Sequence, residues 1–213
     1  MKKWIQGRAA AFHRPTDEMR AFYDRIYRLY WVVERHIRPG LTRVLDTLDH
    51  QLDLSDSPTA LEYCCGSGIL SQQLATRFAH VTGRDLSVNM LTRARRLAAN
   101  CDNITFEIGN ILDIGDDDDT FDFAFISFGL HLFSPSDRIS ILRQLLRVAR
   151  KEVVIIEHPP RWELKVALVE WWEGSHYSDF INTEWREVAR ALNADFSREI
   201  IADTQVQRWK RRL

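Results

Sequence analysis

Apolar positions along this chain follow two alternating periods, and their order predicts repeated strand–helix units. Short, nearly continuous apolar runs are typical of buried parallel strands, and they lie at residues 60–63, 78–86, 104–108, 121–127 and 153–157. Apolar residues at helical spacing occupy residues 69–78, 88–100 and 136–148. This alternation predicts an α/β fold with a doubly wound, mostly parallel sheet.

Two helices are predicted before the first strand. The first begins near Thr16 and keeps helical spacing up to Pro39-Gly40, where a break is expected. The second covers Leu41 to Leu52. Because both precede the sheet, they must pack on it or over its ligand-binding edge. Residues 1–15 are predicted to be a loose arm.

The C-terminal part predicts a helix and the last strands. Residues 179–193 have helical spacing, and residues 196–206 indicate the closing strands of the sheet. The last residues, 209–212, are basic with one tryptophan. They are predicted to form a solvated tail, with a weak membrane-surface contact as the minor alternative.

Composition narrows the class of protein. The 213 residues are 45% hydrophobic and 28% charged, which predicts one soluble domain of ordinary size. A formal net charge of −1 gives no reason to expect a nucleic-acid partner. The three cysteines suit neither a disulfide framework nor a zinc site, so a reducing, cytoplasmic location is expected. No apolar run reaches the length of a membrane span, and no metal is expected at the acidic run 116–119.

The turn after the first strand predicts a ligand site. Residues 64–68 read Cys-Cys-Gly-Ser-Gly, and such small residues let a ligand approach the backbone. In doubly wound sheets, nucleotides bind at this carboxyl edge. Asp85 ends the second strand about 17 residues after Gly68, near the ~20 expected for a carboxylate on a ribose. A solvated loop acid is the alternative for Asp85.

Four motifs in chain order resemble those of the class I S-adenosylmethionine-dependent methyltransferases. Residues 61–68 (LEYCCGSG) are similar to the family's "LDxGxGxG", and residues 85–91 (DLSVNML) to its "DxSxxML". Residues 109–111 match the adenine-contacting segment, and residues 121–123 the "FD" before the fourth strand. The resemblance implies a seven-stranded Rossmann-like methyltransferase fold that binds S-adenosylmethionine and releases S-adenosylhomocysteine.

The resemblance also implies an arrangement of one methyltransferase domain. Residues 1–55 would form the arm and the cap helices, residues 58–157 the cofactor-binding core, and residues 158–213 the acceptor segment with the closing strands. Cys64 replaces the family's usual first glycine, and the amide of Asn110 suits the edge of adenine. The residues implied to bind the cofactor are Tyr30, Glu62, Cys64, Gly66, Gly68, Asp85, Leu86, Met90, Asn110, Ile111 and Ser127.

A narrower resemblance is to the ubiquinone/menaquinone C-methyltransferases. Residues 22–30 (FYDRIYRLY) are similar to their entry helix "FYDxxAxxYD", which would place Tyr30, and less firmly Tyr23, at the methionine end of the cofactor. Residues 127–130 (SFGL) are similar to their "SFGLRN". His131-Leu132 replaces the Arg-Asn of that group and also fits the "LHH" or "LHF" of other small-molecule methyltransferases.

The predicted activity is therefore in-line methyl transfer to a small, apolar or aromatic acceptor. If the acceptor must lose a proton, His131 is the leading candidate base, with His158 and His176 as alternatives. The alternative for His131 is a role in packing or hydrogen bonding alone. Two other functions remain: a catalytically silent S-adenosylmethionine-binding partner subunit, or a NAD-binding oxidoreductase. The second is disfavoured because it leaves the motif at residues 85–87 without a role. The oligomeric state is left open.

Overall fold

A computed structural model describes residues 16–212 as a sheet with helices on both faces. The strands are β1 (Thr59–Tyr63), β2 (His80–Asp85), β3 (Ile104–Ile108), β4 (Phe121–Ser127), β5 (Ala149–Glu157), β6 (Ala194–Ile201) and β7 (Thr204–Arg211). The helices are α1 (Thr16–Ile26), α2 (Trp31–Leu48), α3 (Ile69–Leu74), α4 (Val88–Leu97), α5 (Pro135–Val148), α6 (Leu164–Glu173), α7 (Tyr177–Ile181) and α8 (Trp185–Ala191).

The seven strands form one sheet in the order β3-β2-β1-β4-β5-β7-β6. Strands β1 to β5 are parallel, and β7 runs antiparallel between β5 and β6. The predicted mostly parallel, seven-stranded methyltransferase fold is confirmed. The strand order reverses between β1 and β4, and in such sheets a crevice opens at the carboxyl ends of the two strands.

Each face of the sheet carries its own hydrophobic core. On one face, α2 and α3 pack through Leu45 and Leu74 against Phe123 and Phe125 of β4. On the other face, α5 packs through residues such as Leu142. Burial on both faces explains why the central strands read as continuous apolar runs rather than as alternating ones.

Helix α2 corrects the prediction for the N-terminal segment. The chain breaks after Ile26 and then continues as one helix through Pro39 and Gly40, where the sequence predicted the break. Pro39 is exposed, whereas Leu41 and Val44 on the following turn are fully packed. Burial of this apolar stripe outweighs the roughly 3 kcal/mol that proline costs inside a helix. Residues 1–15, predicted to be a loose arm, lie outside the described residues.

The C-terminal segment corrects two further predictions. The predicted helix over residues 179–193 is two short helices, α7 and α8, and the predicted solvated tail is part of β7. Trp209 is completely buried, with its ring 4.5 Å from that of Phe196. Arg208 and Lys210 of β7 form ion pairs with the buried Glu152. Lys210 and Arg211 pair with β6 through their backbones while their side chains stay exposed, so in the predicted tail it is Trp209 that leaves the solvent.

Among residues 16–212, no helix has both the length and the apolar character needed to cross a membrane.

Candidate active site

The turn after β1 has the backbone that a bound nucleotide requires. Cys64, Gly66 and Gly68 all have positive φ, at 57°, 52° and 73°. Side chains rarely adopt this left-handed conformation, and Cys64 adopts it where the resembled family has glycine. A Cβ atom on Gly66 would meet nothing within 4 Å, so this stretch of backbone faces open space.

Asp85 fixes this turn from the end of the neighbouring strand. Its Oδ2 accepts a hydrogen bond from the Gly66 N–H at 2.9 Å, and its Oδ1 accepts one from the Ser87 N–H at 2.8 Å. Each carboxylate oxygen has a second lone pair, so both can still accept from ligand hydroxyls. Burial raises the pKa of Asp85 above its ordinary value, opposed by these backbone hydrogen bonds. These contacts argue against the alternative prediction for Asp85, a solvated loop acid.

A cavity of about 710 Å³, counting its open mouth, lies over the turn and the crevice. Eight of the predicted cofactor residues line it: Tyr30, Cys64, Gly66, Asp85, Leu86, Met90, Ile111 and Ser127. The rest of its wall is mostly apolar and aromatic, and includes Met19, Tyr23, Phe128, Leu132 and Phe133. A polar carboxylate beside open backbone and an apolar remainder fit an adenosyl group with its methionine part.

Three predicted cofactor residues lie outside this wall. Glu62 is completely buried below the turn, where it accepts hydrogen bonds from Ser71 and Ser127. Gly68 begins α3, and a Cβ atom there would lie 2.7 Å from the ring of Phe106. Asn110 is exposed, and its Oδ1 accepts from the Leu112 N–H. These residues shape the turn and its neighbours from outside the cavity.

The first two helices are held over the cavity by polar contacts to α4. Asp24 of α1 accepts a hydrogen bond from the Ser87 hydroxyl at 2.5 Å. Glu34 of α2 pairs with both ends of the Arg93 guanidinium at 2.6 Å, and both side chains are largely buried. Ser87 also caps α4 by accepting from the Met90 N–H. The cap is therefore anchored to the same segment that carries Asp85.

His131 lies behind the cavity wall. Its side chain is 2% exposed, its Nδ1 is 2.7 Å from Glu157 Oε2, and its Nε2 is 2.9 Å from Glu170 Oε2. Burial alone lowers the pKa of His131, but the carboxylates of Glu157 and Glu170 outweigh it and raise that pKa well above its ordinary value. A histidine that keeps both of its protons is a poor general base.

The two alternative histidines have different surroundings. His158 follows β5, and its Nε2 lies 3.1 Å from Glu170 Oε1. Its ring lies 5.0 Å from that of Phe128, which lines the cavity. His176 lies 3.4 Å from Asp179. No role was predicted from the sequence for Glu157 or Glu170. The position of Glu157, an acid at the end of a buried strand, is a signal that could have indicated a functional role.

The comparisons with known proteins agree with this geometry. Residues 60–152 match the family model described as "Methyltransferase domain". A 2-phytyl-1,4-naphtoquinone methyltransferase of Trichormus variabilis is 28% identical over 165 residues, which cover 74% of this chain and 72% of the relative. A demethylmenaquinone methyltransferase of Shouchella clausii is 35% identical over 105 residues, or 47% and 44% of the two chains.

A solved structure shows the same fold. The magnesium protoporphyrin IX methyltransferase of Synechocystis PCC 6803, solved with bound SAH, superposes with a TM-score of 0.61 at 16% identity, over 82% of this chain and 83% of that one. The matched motifs, the sheet order and the cavity over the first turn lead to one conclusion. The chain is an S-adenosylmethionine-dependent methyltransferase that is similar to quinone methyltransferases over much of its length and has the fold of the class I enzymes.

Proposed function

We propose that this methyltransferase acts on a small, planar, apolar ring of the naphthoquinone type, in its reduced form. The observation that carries the proposal is the cavity wall beyond Asp85, where Met19, Tyr23, Phe128 and Phe133 offer apolar and aromatic surface. Flat aromatic side chains suit a flat ring, because offset and edge-to-face contacts stabilise such pairs. The similarity of this chain to a naphthoquinone and a menaquinone methyltransferase supports the same acceptor class.

The residues of the cavity would hold the cofactor as follows. Asp85 would accept hydrogen bonds from both ribose hydroxyls, and Gly66 would let the ligand approach the backbone. Leu86, Met90 and Ile111 would surround the adenine, and Tyr30 would lie at the methionine end. Bound S-adenosylmethionine supplies a methyl group that is already strongly electrophilic, so the protein has little covalent chemistry to perform.

The proposed mechanism is therefore alignment rather than general-base catalysis by His131. Among the described residues of the cavity wall, Asp85 is the carboxylate, and it already holds the turn. Burial raises the pKa of Tyr23 and of Tyr30, so both phenols stay neutral. Burial likewise keeps the Cys64 thiol neutral by raising its pKa. The chain would orient the acceptor in line with the methyl group and exclude water during transfer, and the acceptor carbon would then release its proton to solvent.

The test is methyl transfer from labelled S-adenosylmethionine to a short-chain demethylmenaquinone, chemically reduced before the assay. We expect a carbon-methylated ring, identified by mass spectrometry and NMR, and no transfer to a simple amine of similar size. Cofactor binding without transfer to this acceptor would contradict the proposed acceptor class. The same outcome would not contradict the proposed S-adenosylmethionine site.

A wall variant tests whether the acceptor lies against the cap. Met19→Ala should raise the KM for the ring by roughly tenfold, within the range for methylene-sized changes in an apolar pocket. The dissociation constant for S-adenosylmethionine should stay the same. Leu97→Ala is the matched control, because Leu97 is an exposed apolar residue on α4. Equal effects of the two substitutions would argue against this position for the acceptor.

A further inference from the structure

A compact group of nitrogen and oxygen atoms lies behind the cavity wall, and methyl transfer by alignment leaves it without a role. His131, His158 and Glu170 each contribute one such atom, and these atoms lie within 4.8 Å of one another. We call these three residues the His–Glu cluster. His131 and Glu170 are nearly completely buried, and His158 is about a quarter exposed.

The cluster contains buried atoms that lack a hydrogen bond. His131 Nε2 and Glu170 Oε2 are 2.9 Å apart, yet neither atom makes a hydrogen bond of acceptable geometry. The two atoms lie close enough together for a single ion to contact both.

Glu157 orients His131 for such a ligand. Its Oε2 lies 2.7 Å from His131 Nδ1, and its Oε1 accepts from the backbone N–H of Leu130 and of His131. The ring is thus held so that Nε2 faces Glu170. A carboxylate on the far nitrogen of a ligating histidine is the usual outer support of metal sites, where it fixes both the tautomer and the ring orientation.

The three residues come from three elements held at the same edge of the sheet. His131 lies in the short 3₁₀ turn after β4, His158 follows β5, and Glu170 lies on α6. Arg138 keeps the turn in place by donating hydrogen bonds to the carbonyl oxygens of Leu130 and His131. Two imidazoles and one carboxylate suit zinc and similar divalent transition-metal ions, and leave a fourth tetrahedral position open.

From this geometry we propose that His131, His158 and Glu170 bind one divalent transition-metal ion, with Glu157 supporting His131 and with the Nε2 proton of His131 released to solvent as the ion binds. The ion would replace the contact between His131 Nε2 and Glu170 Oε2 and offset the charges of Glu157 and Glu170. It would also tie α6 to the carboxyl ends of β4 and β5, next to the cavity. The proposal does not depend on the identity of the methyl acceptor.

The test uses the full chain without a polyhistidine tag, first treated with a chelator. Titration with Co²⁺ should give visible absorption bands of a low-coordinate site at one ion per chain, and Zn²⁺ should displace the cobalt. Calorimetry with Zn²⁺ should give the same stoichiometry. Metal binding should also raise the thermal unfolding temperature, since the ion binds the folded state.

Substitutions in the His–Glu cluster, compared with one at a distant histidine, test whether the ion binds at this cluster. Glu170→Gln and His158→Gln should each weaken Zn²⁺ binding by at least tenfold, and Glu157→Gln by 10–100-fold, the usual effect of removing an outer support. His80→Ala is the control, because His80 is an exposed histidine on β2. His158 is partly exposed, so its variant should fold, which far-ultraviolet circular dichroism and S-adenosylmethionine binding will check. Wild-type protein that binds no ion, or binds it no more tightly than the His158→Gln variant, would overturn the proposal.

Discussion

At the scale of single residues, Asp85 connects the turn after β1 to the cavity. Its two oxygens already accept hydrogen bonds from Gly66 and Ser87, and so the same carboxylate shapes the turn and faces the cavity. If the proposed cofactor site is correct, this double use favours an acid at the end of β2 over other polar residues. Asparagine in this position would offer one acceptor oxygen instead of two.

Replacement of Asp85 tests this dual role. Asp85→Ala should weaken S-adenosylmethionine binding at least tenfold, because each hydrogen bond lost to a charged group costs roughly 1.5–3 kcal/mol. Isothermal calorimetry gives the dissociation constant, and Asp102→Ala, an exposed loop acid, is the control. Asp85→Asn should fall between wild type and Asp85→Ala. An unchanged dissociation constant with an intact fold would assign Asp85 to the turn alone.

At the scale of elements, two glycines of different backbone conformation show where a helix requires glycine and where another residue would fit. Gly40 lies inside α2 with ordinary helical φ, and a Cβ atom there would lie 3.7 Å from Thr204 Oγ1, an ordinary contact. Gly68 begins α3 with φ of 73°, and its Cβ would be 2.7 Å from Phe106. The first glycine is therefore replaceable, and the second is required by both its φ and its neighbour.

The two glycines give opposite predictions for the same substitution. Gly40→Ala should raise the free energy of unfolding by about 0.5–1 kcal/mol, the helix preference of alanine over glycine. Gly68→Ala should lower it by at least 1 kcal/mol, because it combines a left-handed φ with a clash. Urea denaturation measures both. A loss of stability in Gly40→Ala would mean that the Pro39-Gly40 segment is not helical.

Strand β7 gives a second prediction at this scale. Trp209 is buried against Phe196 and Trp185, whose rings lie 4.5 and 6.0 Å from its own. Trp209→Ala should therefore cost about 3–5 kcal/mol of stability. Chemical denaturation measures the loss, and Trp171→Ala serves as the exposed tryptophan control. If Trp209→Ala were nearly as stable as wild type, the solvated tail predicted from the sequence would describe these residues better than a buried strand does.

At the scale of the whole molecule, the buried Glu62 joins β1, β4 and α3 beneath the cavity. It accepts hydrogen bonds from Ser71 of α3 and Ser127 of β4, which removes it from solvent altogether. Burial, only partly opposed by these serines, raises the pKa of Glu62 to about 8. The folded protein therefore keeps this carboxyl protonated at neutral pH, whereas the unfolded chain ionises it near pH 4.3.

The raised pKa of Glu62 predicts how stability depends on pH. A carboxyl that binds its proton more tightly in the folded state stabilises fully below the unfolded pKa, and this contribution is lost as the pH rises to about 8. Relative to Glu62→Gln, wild type should lose a few kcal/mol of stability between pH 5 and pH 8, at about 1.4 kcal/mol per unit of pKa shift. Urea denaturation across this range gives the difference, and parallel curves for the two proteins would contradict it.

The sequence by itself determined the sheet, the turn after β1 and the cofactor class. These features are local: a buried parallel strand reads as a short apolar run, and the glycine-rich turn and Asp85 occupy fixed positions after their strands. Eight of the predicted cofactor residues line the cavity for this reason. Parallel topology brings the carboxyl ends of β1, β2 and β4 to one edge whatever the intervening helices contain.

Only the tertiary structure decided the features that depend on contacts distant in sequence. Pro39 stays helical because the apolar stripe after it is buried, and Trp209 leaves the solvent because β7 pairs with β5. The interpretation of His131 changes most. From the sequence it is a candidate base, but in the fold its ring lies between Glu157 and Glu170, which are 26 and 39 residues further along the chain. The charge state of a buried histidine is set by the groups that folding places around it, and sequence spacing does not encode those distances.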